Sequence, residues 1–295
     1  MRRALSLFAL ARLARLERLA WLAWLAGCAS PGRLAYDAVP SQAMNGVRMQ
    51  YSVYTPPDFE SEERLPLVVF LHGGGDGPDA FDRYGVSGRL EAAMRRAGLP
   101  RAVIVLPEGD LGFWANWADG TRRYEDWVVD ELVPRVREAL HTGDCPEHCH
   151  VMGVSMGGIG ALRFALHRPR VFSTAGSLSG PVMSERQMIS FAQDRLLAVL
   201  IPTPRIFGAV SPGPRIARED LYQRWTSPER TRLRRIFLAW GTRDRDAIIE
   251  GGRALHRHLE QHGIEHRWHE YEGNHSWRSW TPVIERALRH QIAGE

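Results

Sequence analysis

The run Gly153-Val154-Ser155-Met156-Gly157 constrains the fold of this chain more than any other segment. The apolar residues Val151 and Met152 precede it, as a buried strand requires, and residues 159–167 follow with apolar side chains at helical spacing. Glycine is needed on both sides because a sharp turn from strand to helix leaves no room for a Cβ. The pattern therefore predicts a nucleophile elbow, a strained turn that projects the Ser155 hydroxyl beyond the end of a strand.

Basic residues narrow the possible chemistry. All 38 of them are arginine, so an amine that forms a Schiff base, a pyridoxal anchor and a phosphate-loop lysine are all excluded. The formal net charge of +4 equals the charge of residues 1–27 alone, which leaves the rest of the chain neutral. A surface that tracks nucleic-acid phosphates is therefore not indicated.

Apolar runs alternate with helical patterns along most of the chain. The predicted strands cover residues 47–54, 65–71, 102–106, 149–154, 171–178, 236–240 and 267–271. Helices are predicted over 81–96 and 124–140 and from Pro282 onward. The first strand alternates in polarity like an edge strand, whereas the second is continuously apolar like a central one. This order predicts an α/β fold with a doubly wound, mainly parallel sheet and helices on both faces.

The N-terminus has the features of an export signal. Residues 1–27 begin with arginines and end in an apolar run, and Leu25-Ala26-Gly27-Cys28 resembles a bacterial lipobox. By that resemblance Cys28 is the lipidated first residue of an exported envelope lipoprotein, and otherwise the protein is periplasmic or secreted. Charged residues within the segment leave two alternatives, a downstream start and an amphipathic helix on a membrane surface. Residues 28–45 are expected to form a tether and residues 46–295 the folded domain.

Two further segments stand apart from the alternating pattern. Between residues 180 and 235 the alternation of strand and helix patterns stops, and several prolines occur. This segment is either a cap over the active site or a long irregular excursion. Cys145 and Cys149 lie in a predicted loop and could form a local disulfide, which an exported location permits, remain thiols or bind a metal. No second pair of metal ligands accompanies them, and no metal site is expected.

A glycine-rich loop supplies candidate donors for an oxyanion. His72-Gly73-Gly74-Gly75 follows directly on an apolar strand, so its backbone amides can approach a substrate oxygen without obstruction. The amides of Gly74 and Met156 are the predicted oxyanion hole. His72 itself is expected to be structural.

An acid and a base follow at later strand ends. Asp244 is the first carboxylate after the strand at 236–240, and Asp246 is the alternative, with an ordinary role as a helix N-cap. His275 lies in a turn of glycine and asparagine after the last strand. The order Ser155, Asp244, His275 is that of α/β-hydrolases and differs from the orders in chymotrypsin-like and subtilisin-like enzymes.

Four motifs together resemble one family. They are the loop at 71–75, the segment at 124–134, the elbow at 153–158 and the turn at 273–277. The set is similar to the putative-esterase family of the α/β-hydrolase superfamily, which includes esterase D, feruloyl esterases, enterobactin-type esterases and mycolyltransferases. The resemblance extends over residues 47–292 and is poor over 180–235, so it implies the reaction class better than the substrate.

The loop after the strand at 102–106 carries three candidate pocket residues. Trp114, Asn116 and Trp117 could line the substrate pocket, or the two indoles could be packing anchors.

Together these features predict a serine esterase that acts on a small-molecule ester without a metal or organic cofactor. The alternatives are an acyltransferase that uses the same acyl-enzyme and a non-catalytic envelope lipoprotein of the same fold. The sequence leaves the oligomeric state open.

Overall fold

One eight-stranded sheet, in the order β1-β2-β4-β3-β5-β6-β7-β8, organises the chain in a computed structural model. The structure describes residues 30–194, 201–208, 220–225 and 233–295, so the predicted signal and Cys28 lie outside the described residues. The strands are β1 (Arg33–Pro40), β2 (Arg48–Thr55), β3 (Leu67–Leu71), β4 (Val103–Pro107), β5 (Cys149–Val154), β6 (Thr174–Leu178), β7 (Arg235–Gly241) and β8 (Arg267–Tyr271). β1 and β2 are antiparallel to their neighbours, and the other pairings are parallel. The predicted α/β-hydrolase fold is confirmed.

Helices cover the two faces of the sheet. Those described are α1 (Ala80–Arg83), α2 (Val86–Arg95), α3 (Tyr124–Asp126), α4 (Val133–Leu140), α5 (Met156–His167), α6 (Glu185–Gln193), α7 (Thr203–Phe207), α8 (Leu221–Arg224), α9 (Asp246–Gln261) and α10 (Trp277–Ala293). A π-helical segment (Trp127–Leu132) joins α3 to α4. Side chains of α1, α2 and α10 form one apolar core, and those of α3–α5 and α9 form the other. Because both faces are covered, β3, β4 and β5 are buried at every position, as their continuous apolar sequences require.

The expected tether is wrong from residue 33 onward. Residues 33–40 of the segment 28–45 form the edge strand β1, which pairs with β2 from Arg33 opposite Thr55 to Pro40 opposite Arg48. Ala43 and Met44 are buried in the core. The strand at 47–54, predicted at the edge, is therefore second in the sheet, and the folded domain begins well before residue 46.

Helix boundaries differ from the predicted ones in two places. The segment at 81–96 is two helices, because Gly85 adopts a φ of 69° between them. The C-terminal helix begins at Trp277 rather than at Pro282, and the proline lies inside it. This earlier start brings the helix to within two residues of His275.

The excursion at 180–235 is described in part, since residues 195–200, 209–219 and 226–232 lie outside the described residues. Its described parts include α6, which begins at a Ser184–Gln187 capping box, and the short helices α7 and α8. Phe191 and Phe207 pack edge-on against Phe113, with ring centroids 5.5 and 5.9 Å away. These contacts attach the excursion to the loop that follows β4.

Among the residues that the structure describes, no helix combines the length and apolar character needed to cross a bilayer.

Candidate active site

Ser155 lies between β5 and α5 in a strained conformation. Its φ of 53° and ψ of −122° fall where residues other than glycine rarely lie, and its N–H donates to the carbonyl of Leu178 at 2.8 Å. A Cβ on Gly157 would overlap the carbonyl oxygen of Leu71, and one on Gly153 would overlap the backbone of Gly157. The flanking glycines are therefore required by close packing of the backbone.

His275 connects the serine to a carboxylate. Its Nε2 lies 2.8 Å from Ser155 Oγ, and its Nδ1 lies 2.8 Å from Oδ1 of Asp244. With Nδ1–H donating to the carboxylate, Nε2 is left as the acceptor for the Ser155 hydroxyl. The structure thus brings together the three residues that the sequence singled out.

Asp244 and Asp246 have different environments. The Asp244 side chain has no solvent exposure, whereas Asp246 is exposed at the start of α9 and is not part of the constellation. Burial raises the pKa of Asp244, but the interactions with His275, the Ser179 side chain and the Arg245 N–H outweigh burial and lower that pKa below its ordinary value. Asp244 is therefore an ionised acceptor for His275 at neutral pH.

Ser179 and Trp280 lie beside the Asp244–His275 pair, and the sequence analysis missed both. Trp280 Nε1–H donates to Ser179 Oγ at 2.9 Å, and its ring packs edge-on to His275 with centroids 4.9 Å apart. Ser179 follows β6 with a φ of 52° and is buried. The sequence could have pointed to Ser179, because it directly follows β6, the strand that pairs with β5.

Residues 72–75, which we call the oxyanion loop, lie beside the elbow. A Cβ on Gly73 would lie 3.4 Å from Ser155 Cβ, so the loop backbone passes close to the serine. His72 is buried and holds the loop, because its Nδ1–H donates to the carbonyl of Gly73 at 2.8 Å and its Nε2 accepts from the Gly109 N–H at 3.1 Å. Met156 begins α5, where backbone N–H groups lack helical acceptors. The assignment of the Gly74 and Met156 amides to an oxyanion hole stays a prediction.

A family model described as "Putative esterase" matches residues 41–291. The chain belongs to this family. The resemblance inferred from its motifs is thereby confirmed.

Two relatives of this esterase-family chain show how far the similarity extends. An esterase of Mycobacterium tuberculosis is 28% identical over 254 residues, which cover 77% of this chain and 52% of the relative. The chain therefore spans about half of that relative's length. An acetyl esterase of Caldicellulosiruptor saccharolyticus is 26% identical over 232 residues, which cover 77% of this chain and 83% of the relative.

A solved structure shares the fold of this family member. A fluorophosphonate-binding serine hydrolase of Staphylococcus aureus superposes with a TM-score of 0.74 at 19% identity, covering 89% of this chain and 99% of that one.

The three candidate pocket residues of this esterase-family chain have separate roles. Trp114 does not line a pocket, because it is fully buried under the oxyanion loop, with Nε1–H directed at the carbonyl of His72 at 3.2 Å. Asn116 donates from Nδ2 to Asp126 Oδ1 at 2.8 Å, which attaches its loop to α3. Trp117 lies on a cleft with a volume of about 560 Å³, and Arg205 from α7 stacks 4.9 Å from its ring centroid.

The same cleft reaches the oxyanion loop and is lined by both polar and apolar groups. Its lining includes Gly75, Asp76, Glu108, Asp110 and Arg122. A ligand in this cleft would lie beside Gly75, the last residue of the oxyanion loop.

Cys145 and Cys149 form a disulfide in the loop before β5. Of the alternatives that the sequence left open, the structure has the local disulfide. Within the described ranges, no group of three or more histidine, cysteine or acidic side chains is arranged to hold a metal ion.

Proposed function

We propose that this chain is a serine esterase that hydrolyses carboxylic esters through an acyl-enzyme on Ser155. The observation that carries the proposal is the placement of His275, whose two ring nitrogens each lie 2.8 Å from an oxygen, one of Ser155 and one of Asp244. Membership of an esterase family supports the same reaction class.

Acylation of the enzyme follows from this geometry. Ser155 Oγ attacks the ester carbonyl while its proton passes to His275 Nε2, which forms a tetrahedral intermediate. The buried Asp244 carboxylate stabilises the imidazolium that results, and the Gly74 and Met156 amides donate to the oxyanion. Collapse of the intermediate breaks the C–O bond, and His275 returns the proton to the departing alcohol.

Deacylation repeats the sequence with water. His275 Nε2 takes a proton from a water molecule as that water attacks the acyl carbonyl, and the second tetrahedral intermediate releases the acid and restores the Ser155 hydroxyl. Each step uses only groups of this chain and the substrates.

The decisive experiment compares the purified protein with Ser155→Ala on short p-nitrophenyl esters. We expect the substitution to reduce kcat by about 10³-fold or more, and a fluorophosphonate to label the unsubstituted protein alone. Ser61→Ala, at an exposed serine, is the matched control and should retain full activity. Equal turnover by the Ser155→Ala variant and the unsubstituted protein would refute the proposal.

We further propose that the protein is exported and anchored to a membrane through a lipid on Cys28. The lipobox-like ending of residues 1–27 supports this location, and so does the Cys145–Cys149 disulfide, since disulfides persist mainly in oxidising compartments. Metabolic labelling with palmitate should mark the protein but not its Cys28→Ser variant. Labelling of both proteins, or of neither, would contradict the anchor.

A further inference from the structure

Asp76, directly after the oxyanion loop, accepts two hydrogen bonds, one from the distant helix α10 and one from Tyr84, just after α1. Its Oδ2 accepts from Trp277 Nε1–H at 2.9 Å, and its Oδ1 accepts from the Tyr84 hydroxyl at 2.9 Å. Only 11% of its side chain is exposed, and the Arg83 guanidinium lies 3.9 Å from Oδ1. Each carboxylate oxygen therefore has a specific donor, in a setting partly shielded from water.

The Asp76 carboxylate is also close to the loop itself. The Asp76 N–H donates to the carbonyl of Gly73 at 3.2 Å, and a Cβ on Gly73 would lie 3.3 Å from Asp76 Oδ2. The carboxylate therefore lies close to the backbone that precedes Gly74. The predicted oxyanion donor is one residue from that contact.

Trp277 links the carboxylate to the loop that carries the base. It begins α10 two residues after His275, is largely buried, and packs edge-on to Trp280 with centroids 5.7 Å apart. Trp280 in turn contacts the His275 ring. The Tyr84 ring stacks on Trp277, with centroids 4.8 Å apart and ring planes tilted by 12°.

We propose that Asp76 is a positioning residue that holds the oxyanion loop in register with His275 by joining it to Trp277. The inference rests on the proposed esterase function. Oxyanion donors and base must be set relative to one another within fractions of an ångström, and a misplacement of about 1 Å can cost about 100-fold in rate. A single carboxylate performs this task by joining the two loops, since its two oxygens accept from Trp277 and Tyr84.

Substitutions can remove the link while leaving the packing. Trp277→Phe keeps an aromatic ring but loses the N–H donor, and Asp76→Asn keeps the shape but replaces one acceptor oxygen with a donor. Asp79→Asn is the matched control, since Asp79 is a half-exposed carboxylate three residues after Asp76 and pairs with Arg83.

We expect Asp76→Asn and Trp277→Phe each to lower kcat for p-nitrophenyl acetate by about 10-fold or more, with KM changed by less than about 2-fold. Affinity for a trifluoromethyl ketone, which forms an oxyanion on Ser155, should fall in the same proportion as kcat/KM. The double variant should be no slower than the slower single variant, because both remove one link. Asp79→Asn should match the unsubstituted enzyme.

Unchanged kcat in both single variants, or multiplicative losses in the double variant, would overturn the proposal. If Asp76→Asn does not fold, Trp277→Phe and its ketone affinity decide the question. A Ser155→Ala variant as active as the unsubstituted protein refutes the esterase function and this inference together. An inactive Ser155→Ala variant beside fully active Asp76→Asn and Trp277→Phe variants refutes the positioning role alone.

Discussion

Nδ1 of His275 lies 2.8 Å from Oδ1 of Asp244, a carboxylate whose side chain is shielded from solvent. This contact selects the imidazole tautomer that carries its proton on Nδ1. The Nε2 lone pair is then directed at Ser155, which is the arrangement that a general base needs.

Asp244→Asn is expected to lower kcat by about 10³-fold or more on short p-nitrophenyl esters. An amide nitrogen facing Nδ1 would favour the opposite tautomer, which places a proton on Nε2 and prevents it from accepting one. Asp246→Asn provides the control, because that side chain is exposed, and its kcat should be unchanged. Loss of activity in Asp246→Asn with full activity in Asp244→Asn would reverse the assignment of the acid.

Substitution of the elbow glycine should damage folding. Gly157→Ala places a methyl group against the carbonyl of Leu71, so we expect the free energy of unfolding in urea to fall by at least about 3 kcal/mol. Gly88→Ala, in the helix Val86–Arg95, has open space around the added carbon and should raise that free energy by about 0.5–1 kcal/mol. Equal effects of the two substitutions would show that backbone packing at the elbow has been misjudged.

Stability at low pH should depend on Glu125. This buried side chain accepts from His167 Nδ1 at 2.9 Å and from Arg168 Nε at 2.6 Å. Burial raises the pKa of Glu125, but the two partners outweigh it and lower that pKa from 4.5 to about 2. A carboxyl with a lowered pKa in the folded state stabilises the fold above its unfolded-state pKa, and that stabilisation is lost as the pH falls through the folded-state value.

We therefore expect the unfolding free energy of the unsubstituted protein to exceed that of Glu125→Gln by about 3 kcal/mol at pH 7. The difference should shrink as the pH falls from 4.5 towards about 2. Urea denaturation at a series of pH values measures it, with Glu60→Gln, at an exposed position, as the control. A difference that is constant across this range would contradict the role of Glu125.

Removal of the disulfide should cost stability without affecting chemistry. The cysteines are separated by four positions, so the cross-link closes a short loop in the unfolded chain and contributes about 2 kcal/mol. The double variant Cys145→Ala/Cys149→Ala should unfold at correspondingly lower urea concentration and keep its kcat. A large loss of kcat in the folded double variant would indicate that the loop before β5 influences the site.

The sequence predicted best those features that depend on local pattern. The strands at 149–154 and 267–271 have the predicted boundaries, because each apolar or alternating run is bounded by turn residues. Ser155, Asp244 and His275 could be selected because each follows the end of a strand of a parallel sheet, where side chains from distant segments meet.

The features that sequence reasoning missed depend on partners far along the chain. β1 was expected to be a tether because an edge strand has one neighbour and no fully buried position, so that only its pairing with β2 defines it. Trp114 stayed open between a pocket residue and a packing anchor, because its loop position is visible in the sequence whereas its burial under the oxyanion loop is not. The contact between Asp76 and Trp277 joins residues that are 201 positions apart.

If Cys28 carries the proposed lipid, the edge strand β1 limits how far the protein could extend from the membrane. Only residues 29–32 separate Cys28 from Arg33, where β1 begins, and five fully extended steps span at most about 18 Å. A lipid on Cys28 would therefore hold the edge strand β1 within about that distance of the bilayer surface. Ser155 would then act on esters that lie within a few nanometres of the membrane surface.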